Sequence, residues 1–221
     1  MNTGYYAVIP TKDRLDCLHN AVNAIKPGAL QPYIIVVDNG IDAAMCGDEF
    51  YLYDERPPNI SRMWNIGLNR AAELATSAGN DEWFVAVIND DVVTPRGWFE
   101  AVVRDMEQCQ TDAGCSDQHN VVRELYVSAS IADYTLQTRL CGYAFVLRGS
   151  TGIRLDEQFA WWYGDDDLDW RVRSAGGLSI TAGYAVQHLH PNAQTNADQV
   201  LIEQTGRDRA AFIAKWGRAP W

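Results

Sequence analysis

The sequence predicts an α/β fold, with a mostly parallel central sheet and helices on both faces. Three observations point to it. Apolar runs of strand length alternate with segments of helical periodicity, in the order β-α-β-α-β-α through the first half. The strand runs are continuously apolar, as strands buried on both faces are. Each of the three runs ends in a polar cluster: Thr11–Arg14, Asp38-Asn39 and Asn89–Asp91. In sheets of this kind ligands bind beyond the C-terminal strand ends. Turn chemistry explains any one cluster; it explains the coincidence of three less well.

YYAVIP (Tyr5–Pro10) reads as a buried strand. Leu15, Leu18, Val22 and Ile25 then recur at helical spacing, and Gly28 stops them. YIIVVDNG (Tyr33–Gly40) is a central strand ending in a turn. Ser61 is positioned to cap a helix carrying Leu68, Ala71, Ala72 and Ala75. WFVAVI (Trp83–Ile88) is a third buried strand, and Thr94-Pro95 opens a helix with Trp98, Phe99, Val102, Val103 and Met106 on one face. Residues 108–120 are polar and read as a loop. Strand-like runs follow at Val121–Ile131 and Gly142–Leu147. A helix starting at Asp165 or Asp166 ends at Gly176-Gly177. Leu178–Ala182 and Tyr184–His190 read as short strands, and Asn196–Trp216 as helix.

The chain has 221 residues, 47% of them hydrophobic, enough for one domain with a sizeable core. Its net charge of −11 argues against a generic nucleic-acid or anionic-membrane partner. No stretch is apolar for the roughly 18–20 residues of a membrane span. MNTGYYAVIP lacks the basic start and long apolar run of a secretory leader. Five cysteines without CxxC spacing read as reduced thiols, which predicts a cytoplasmic protein.

Neither GxGxxG nor GxxxxGK[ST] is present, so a bound diphosphate needs another source of positive charge. A divalent cation held by carboxylates supplies it. Asn89-Asp90-Asp91, straight after an apolar strand, is a place to hold one. The densest acids lie elsewhere, in WWYGDDDLDWRVR, with Asp165, Asp166, Asp167 and Asp169 in five residues. Helical spacing pairs Asp167 with Arg171 and Asp169 with Arg173. Asp165 and Asp166 fall in the first turn, where the macrodipole favours acids, with Asp165 projecting ahead of the helix.

Seven segments, in order, resemble glycosyltransferase family 2, of the GT-A (nucleotide-diphospho-sugar transferase) fold: VIPTKDR, IIVVDNG, Asn65-Ile66-Gly67, INDDVVTPRGW, CGYAFVLR, LDEQFAWWYGDDDLDWRVRSAGG and HLHP. The resemblance implies a single catalytic domain over residues 1–221, with a nucleotide-binding half (1–92) and an acceptor half (93–221). It implies that Pro10, Thr11, Arg14 and Asp38 line a base and ribose pocket, joined by Asn65, and that Asn89 and Asp90 face the ribose and diphosphate. Asp91 would bind Mn²⁺ or Mg²⁺ with His188 or His190; strand alternation would put both histidines on one face. Asp165 would be the general base. Gly142, Trp161, Trp162 and Asp166 would border the sugar and acceptor. For the two tryptophans, core packing and sugar contact are both open.

The implied activity is metal-dependent, inverting transfer of a hexose from a nucleotide-diphosphate sugar, a UDP-sugar first among them, to a protein or glycan hydroxyl. Three positions depart from the family pattern. Asn89 replaces the first acid of the D-x-D segment, Trp64 replaces an Arg for which Arg62 could substitute, and Gly164 replaces a Glu. Two alternatives stay open. One is a non-catalytic carbohydrate- or calcium-binding module, although DDDLDW lacks the spaced D-x-D-x-D-G of a calcium loop. The other is a sugar-phosphate nucleotidylyltransferase, although VIPTKDR lacks that class's Gly- and Lys/Arg-rich first loop.

Overall fold

In the computed structural model, which describes residues 2–40 and 46–221, β1 (Thr3–Thr11), β2 (Tyr33–Asp38), β3 (Glu49–Leu52) and β4 (Glu82–Ile88) run parallel. Between them lie α1 (Leu15–Ile25) and α2 (Ile60–Ser77). After β4 come the short β5 (Val92–Val93), α3 (Trp98–Cys109), β6 (Ala113–Ser116), β7 (Tyr126–Ser128) and β8 (Ala144–Arg148). Then follow α4 (Gly164–Ser174), β9 (Leu178–Thr181), β10 (Gln187–His188), α5 (Ala193–Ala197) and α6 (Gln199–Trp216).

The described strands form an eight-stranded sheet in the order β3-β2-β1-β4-β8-β6-β9-β7, with β5 and β10 pairing separately. β8 lies antiparallel between β4 and β6, so the sheet is parallel through its first half and mixed beyond. The predicted central strands are its core: Ala7, Val8, Ile9, Ile34 to Val37 and Phe84 to Ile88 are fully buried. The helices flank it. α2 crosses β1 so closely that a Cβ on Gly67 would lie 2.3 Å from Val8 Cγ1.

Several boundaries differ from expectation. Asn59, not Ser61, caps α2, accepting from the Arg62 N–H at 2.9 Å. Ser61 points inward and donates to the Phe159 carbonyl. α3 begins at Trp98 rather than Thr94-Pro95, because Gly97 holds a left-handed turn before it. α4 begins at Gly164, so Asp165 is its second residue and does not project ahead of it. Residues 113–116, read as loop, form β6: AGCS carries no β-branched residue, yet all four are buried. Small residues are required there, since a Cβ on Gly114 would meet Met106 of α3 at 2.7 Å. β3 carries no apolar alternation because it is a half-exposed edge. The expected strands Val121–Ile131 and Tyr184–His190 shrink to three and two residues. Asp198 divides the C-terminal helix and caps α6 through the Val200 N–H.

Two glycines test this packing. Gly67→Ala is expected to lower stability by about 1–3 kcal/mol, because β1 cannot retreat from α2. Gly206→Ala, on α6 with no atom within 4 Å of the added Cβ, is expected to raise it, by up to about 1 kcal/mol. Urea denaturation midpoints of both variants decide this.

Candidate active site

The C-terminal ends of β1, β2 and β4 meet at a cleft of about 410 Å³. Twelve of the fifteen candidate residues line it: Pro10, Thr11, Arg14, Asn89, Asp90, Asp91, Gly142, Trp161, Trp162, Asp165, His188 and His190. Asp38, Asn65 and Asp166 do not. Asp38 is buried at the end of β2 and accepts from the Gly40 N–H at 2.6 Å. Asn65 pins residues 155–157 to α2, exchanging two hydrogen bonds with the Leu155 backbone and donating to Glu157. Arg62 is held by Glu55 and Glu157, away from the cleft lining.

On the β4 side, the backbone turns straight from the strand into Asn89-Asp90-Asp91. Thr11 Oγ1 donates to Asp90 at 2.8 Å, and Arg14 binds Asp90 and Asp91 together, reaching Asp91 Oδ2 at 2.9 Å. Arg14, expected beside a base, thus serves as counter-ion to the two carboxylates. Burial raises Asp90 to about 6 even so, with Asp91 adding to the rise. Burial pushes Asp91 up as well, but His188 and Arg14 outweigh it and hold Asp91 below the usual carboxylate range.

His188 reaches Asp91 through the backbone. β10 pairs with β5, setting His188 opposite Val92, and the Leu189 N–H donates to the Asp91 carbonyl at 2.9 Å. The imidazole stacks on Tyr143, centroids 4.2 Å apart, and its Nε2 lies 3.3 Å from Asp91 Oδ1. β10 ends at His188, so strand alternation does not carry His190 to the same face; His190 is exposed at the rim. Asp91 Oδ1 is buried, and its contact with His188 Nε2 at 3.3 Å is not directed as a hydrogen bond. A bare carboxylate oxygen beside an imidazole nitrogen suits Mn²⁺ or Mg²⁺, which take their other ligands from water and phosphate. The residues therefore fit such an ion. Among the described residues, no three His, Cys, Asp or Glu are grouped to hold a metal by themselves. The Asn39 and Asn89 Oδ1 atoms are likewise buried and unpartnered, acceptors left for a ligand's hydroxyl or N–H.

On the α4 side, the four acids have separate surroundings. Asp167 accepts from Arg171 at 2.8 Å, and its other oxygen from Trp216 and Lys215. Asp169 pairs with Arg173 and accepts from the Leu140 N–H. Both i,i+4 pairings are those the spacing predicts. Asp166 accepts from Tyr134 at 2.6 Å and Arg139 at 3.0 Å. It therefore faces the segment 131–140, not the cleft. Asp165 lies at the cleft against Gly142, where a Cβ would stand 2.1 Å from its Oδ2. Burial and the neighbouring Asp166 carboxylate raise Asp165 to about 6, against the pull of Arg139. Trp161 and Trp162 are half-buried at the same cleft, and both indole N–H groups donate to Thr195.

Sequence reasoning missed Lys12, Asn39, Ser116–His119, Arg139, Tyr143 and Thr195, which also line the cleft. Lys12 and Asn39 stood inside recognised clusters. Tyr143 stood inside CGYAFVLR beside Gly142; the others come from β6 and the residues after it, from the segment before Cys141 and from α5, where no pattern signalled a site.

No family model matches the sequence, and no curated protein matches it. Solved structures do match in fold. Staphylococcus aureus TarS 1–349 in complex with UDP superposes with a TM-score of 0.65 at 10% identity, covering 97% of this chain and 72% of that one. The same protein in complex with UDP-GlcNAc gives 0.62 at 10%, covering 91% and 66%. GalNAc-T7 with UDP, GalNAc and Mn²⁺ gives 0.59 at 10%, covering 84% and 43%. The chain spans 65% of TarS 1–349 without ligand and 42% of TarS itself. At such identities the likeness speaks for architecture alone, and the architecture is the GT-A fold that the sequence resemblance predicts.

Proposed function

We propose that the chain is a metal-dependent, inverting glycosyltransferase that moves a hexose from a nucleotide-diphosphate sugar, preferentially a UDP-sugar, to an acceptor hydroxyl. One observation carries the reading: a single cleft holds an ionised Asp91 with a bare oxygen beside His188, and a proton-seeking Asp165 on another element. A donor needs the first and a nucleophile the second. The GT-A fold, and the structural neighbours in complex with UDP and UDP-GlcNAc, support the same reading.

The nucleotide half, residues 1–92, offers Pro10, Thr11, Asn39 and Asn89 at the strand ends for base and ribose. A divalent cation on Asp91 and His188 would screen the diphosphate charge. Arg14 orients both carboxylates beneath it. The acceptor half, residues 93–221, brings Asp165, which takes the proton from the acceptor hydroxyl as its oxygen attacks the anomeric carbon and the bond from that carbon to the diphosphate breaks, releasing the nucleotide diphosphate. One base and one displacement invert that centre. Gly142 leaves room for the carboxylate to approach.

A nucleotidylyltransferase would release pyrophosphate, and a lectin would ignore the nucleotide. Neither class accounts for a raised carboxylate facing a depressed one across a cleft. No described helix is long and apolar enough to cross a membrane.

Asp91→Ala is expected to abolish the Mn²⁺-dependent part of UDP affinity in calorimetry; unchanged affinity with Mn²⁺ would remove Asp91 from the metal site. Asp165→Asn is expected to bind UDP normally while acceptor-dependent UDP release falls roughly 10²–10⁴-fold, the usual worth of a general base. Asp167→Asn, off the cleft, is expected to keep most turnover. Equal losses in the two would mean that the acids act only through folding.

The raised carboxyl also predicts a stability change. Desolvation and the Asp166 carboxylate raise it above its ordinary 3.8, so the folded chain binds this proton more tightly than the unfolded one. Stability from this group is present below about pH 4 and lost as pH rises through its raised folded value. Asp165→Asn is therefore expected to raise the melting temperature at about pH 8, with the gain vanishing below about pH 4. A pH series of thermal melts checks it; a gain that grows on acidification refutes it.

A further inference from the structure

Beside Asp165 the cleft is lined by Trp161, Trp162, Gln137, Asn192, Gln194 and Thr195. The loop carrying the tryptophans is fixed from below. The backbone N–H groups of Ala160, Trp161 and Trp162 donate to the carboxylate of Asp208 at 3.2, 2.8 and 2.8 Å. Asp208 is 1% exposed on α6, and Gln204 donates to it as well. From above, Thr195 takes both indole N–H groups, at 2.8 and 3.4 Å. Only hydrocarbon ring surface is left to offer.

The two rings differ in their packing. Trp162 rests against the cluster of Phe159, Tyr163, Trp170 and Phe212. Trp161 packs against none of the hydrophobic clusters among the described residues, although it is half-buried at the cleft. A large indole held at its backbone and its nitrogen, half-buried at the cleft and outside the apolar clusters, is a preorganised platform for a ring face.

The charges nearby narrow what can occupy it. Among the described residues, the Lys and Arg side chains along the cleft are Lys12, Arg14 and Arg139. Arg14 is bound to Asp90 and Asp91, and Arg139 to Asp166. Lys12 stands at the end of β1, with the donor groups. The acceptor side therefore has no cation to spare, on a chain of net charge −11. A phosphate-bearing acceptor would enter against the field. An uncharged sugar matches what is present: a ring face for its C–H surface, and amides and a hydroxyl that donate and accept for its hydroxyls.

We infer that Trp161, held by Asp208 and Thr195, is the platform of an acceptor subsite for an uncharged glycan. This rests on the glycosyltransferase reading for its role in transfer, but binding tests it without any donor. Saturation-transfer NMR on the whole chain would screen neutral oligosaccharides ending in glucose, galactose, mannose, N-acetylhexosamine or pentose. Their 6-phosphorylated counterparts and a Ser/Thr-rich peptide set would run alongside, with UDP titrated separately by calorimetry. We expect a neutral oligosaccharide to bind at millimolar concentration and its phosphorylated counterpart at least tenfold more weakly. Trp161→Ala should weaken the neutral ligand at least tenfold while leaving UDP affinity and melting temperature unchanged. Asp208→Asn should weaken it too; if that variant fails to fold, Trp161→Ala decides alone. Binding of no neutral oligosaccharide, preference for the phosphorylated forms, binding of peptides only, or indifference to Trp161→Ala would each overturn the inference. Glycan binding without UDP binding would sink the glycosyltransferase reading and spare the subsite; UDP binding without glycan binding would do the reverse.

Discussion

Ionised carboxylates leave water at high cost unless donors meet their oxygens, and α4 takes three of them out of water within four residues. Asp166, Asp167 and Asp169 are each 3% exposed or less. Each is satisfied by a different part of the chain: Asp166 by Tyr134 and Arg139, Asp167 by Lys215 and Trp216 as well as Arg171, Asp169 by the Leu140 N–H and Arg173. The partners tie residues 131–140 and the end of α6 to one helix. The crowding of acids is thus a means of assembly. The cleft wall containing Arg139, Cys141 and Gly142 is held where α4 needs it, and Asp165 is the one acid of the four left facing the cleft.

The same rule operates on α6. Asp208 gathers three consecutive backbone N–H groups that belong to no helix or strand, and so fixes a loop that periodicity could not place. On the β4 side it is inverted. Asp90 and Asp91 share one guanidinium, and one oxygen of Asp91 is left bare. Three of the buried oxygens without a hydrogen-bond partner, on Asn39, Asn89 and Asp91, belong to residues that line this cleft, where a ligand could complete them.

The parallel half of the sheet was legible in the sequence because its strands are buried on both faces and so read as unbroken apolar runs, as at Ile34–Val37 and Phe84–Ile88. The strand-end residues Thr11, Asn89, Asp90 and Asp91 followed from that. β6 was not legible, because its pattern is set by α3 pressing on Gly114 and not by strand propensity. The place of His188 was half legible: the residue stands out, but only the β5–β10 pairing brings it to Asp91, and a two-residue strand carries no periodicity. Arg14 was found at the cleft, but its pairing with Asp90 and Asp91 was not legible, since sequence cannot tell a cation that meets a ligand from one that meets a carboxylate. Asp38, Asn65 and Asp166 were drawn from the resemblance and lie outside the cleft lining, each bonded to the protein's own backbone or side chains.

Two aspartates on one cleft, alike in composition, end in opposite protonation regimes. Asp91 is buried, yet Arg14 and His188 hold its carboxyl low, so it is an anion before any ligand arrives. Desolvation and the Asp166 carboxylate raise Asp165, against the pull of Arg139, so its carboxyl is held high. An anion that keeps its charge suits a cation and a diphosphate; one that wants a proton suits an attacking hydroxyl. The division of labour is written in the partners rather than in the residues. That is why the spacing of GDDDL located the acids but could not distinguish them. Tyr134 and Arg139 lie far from the acid cluster in sequence, and by holding Asp166 they leave Asp165 as the acid of α4 that faces the cleft.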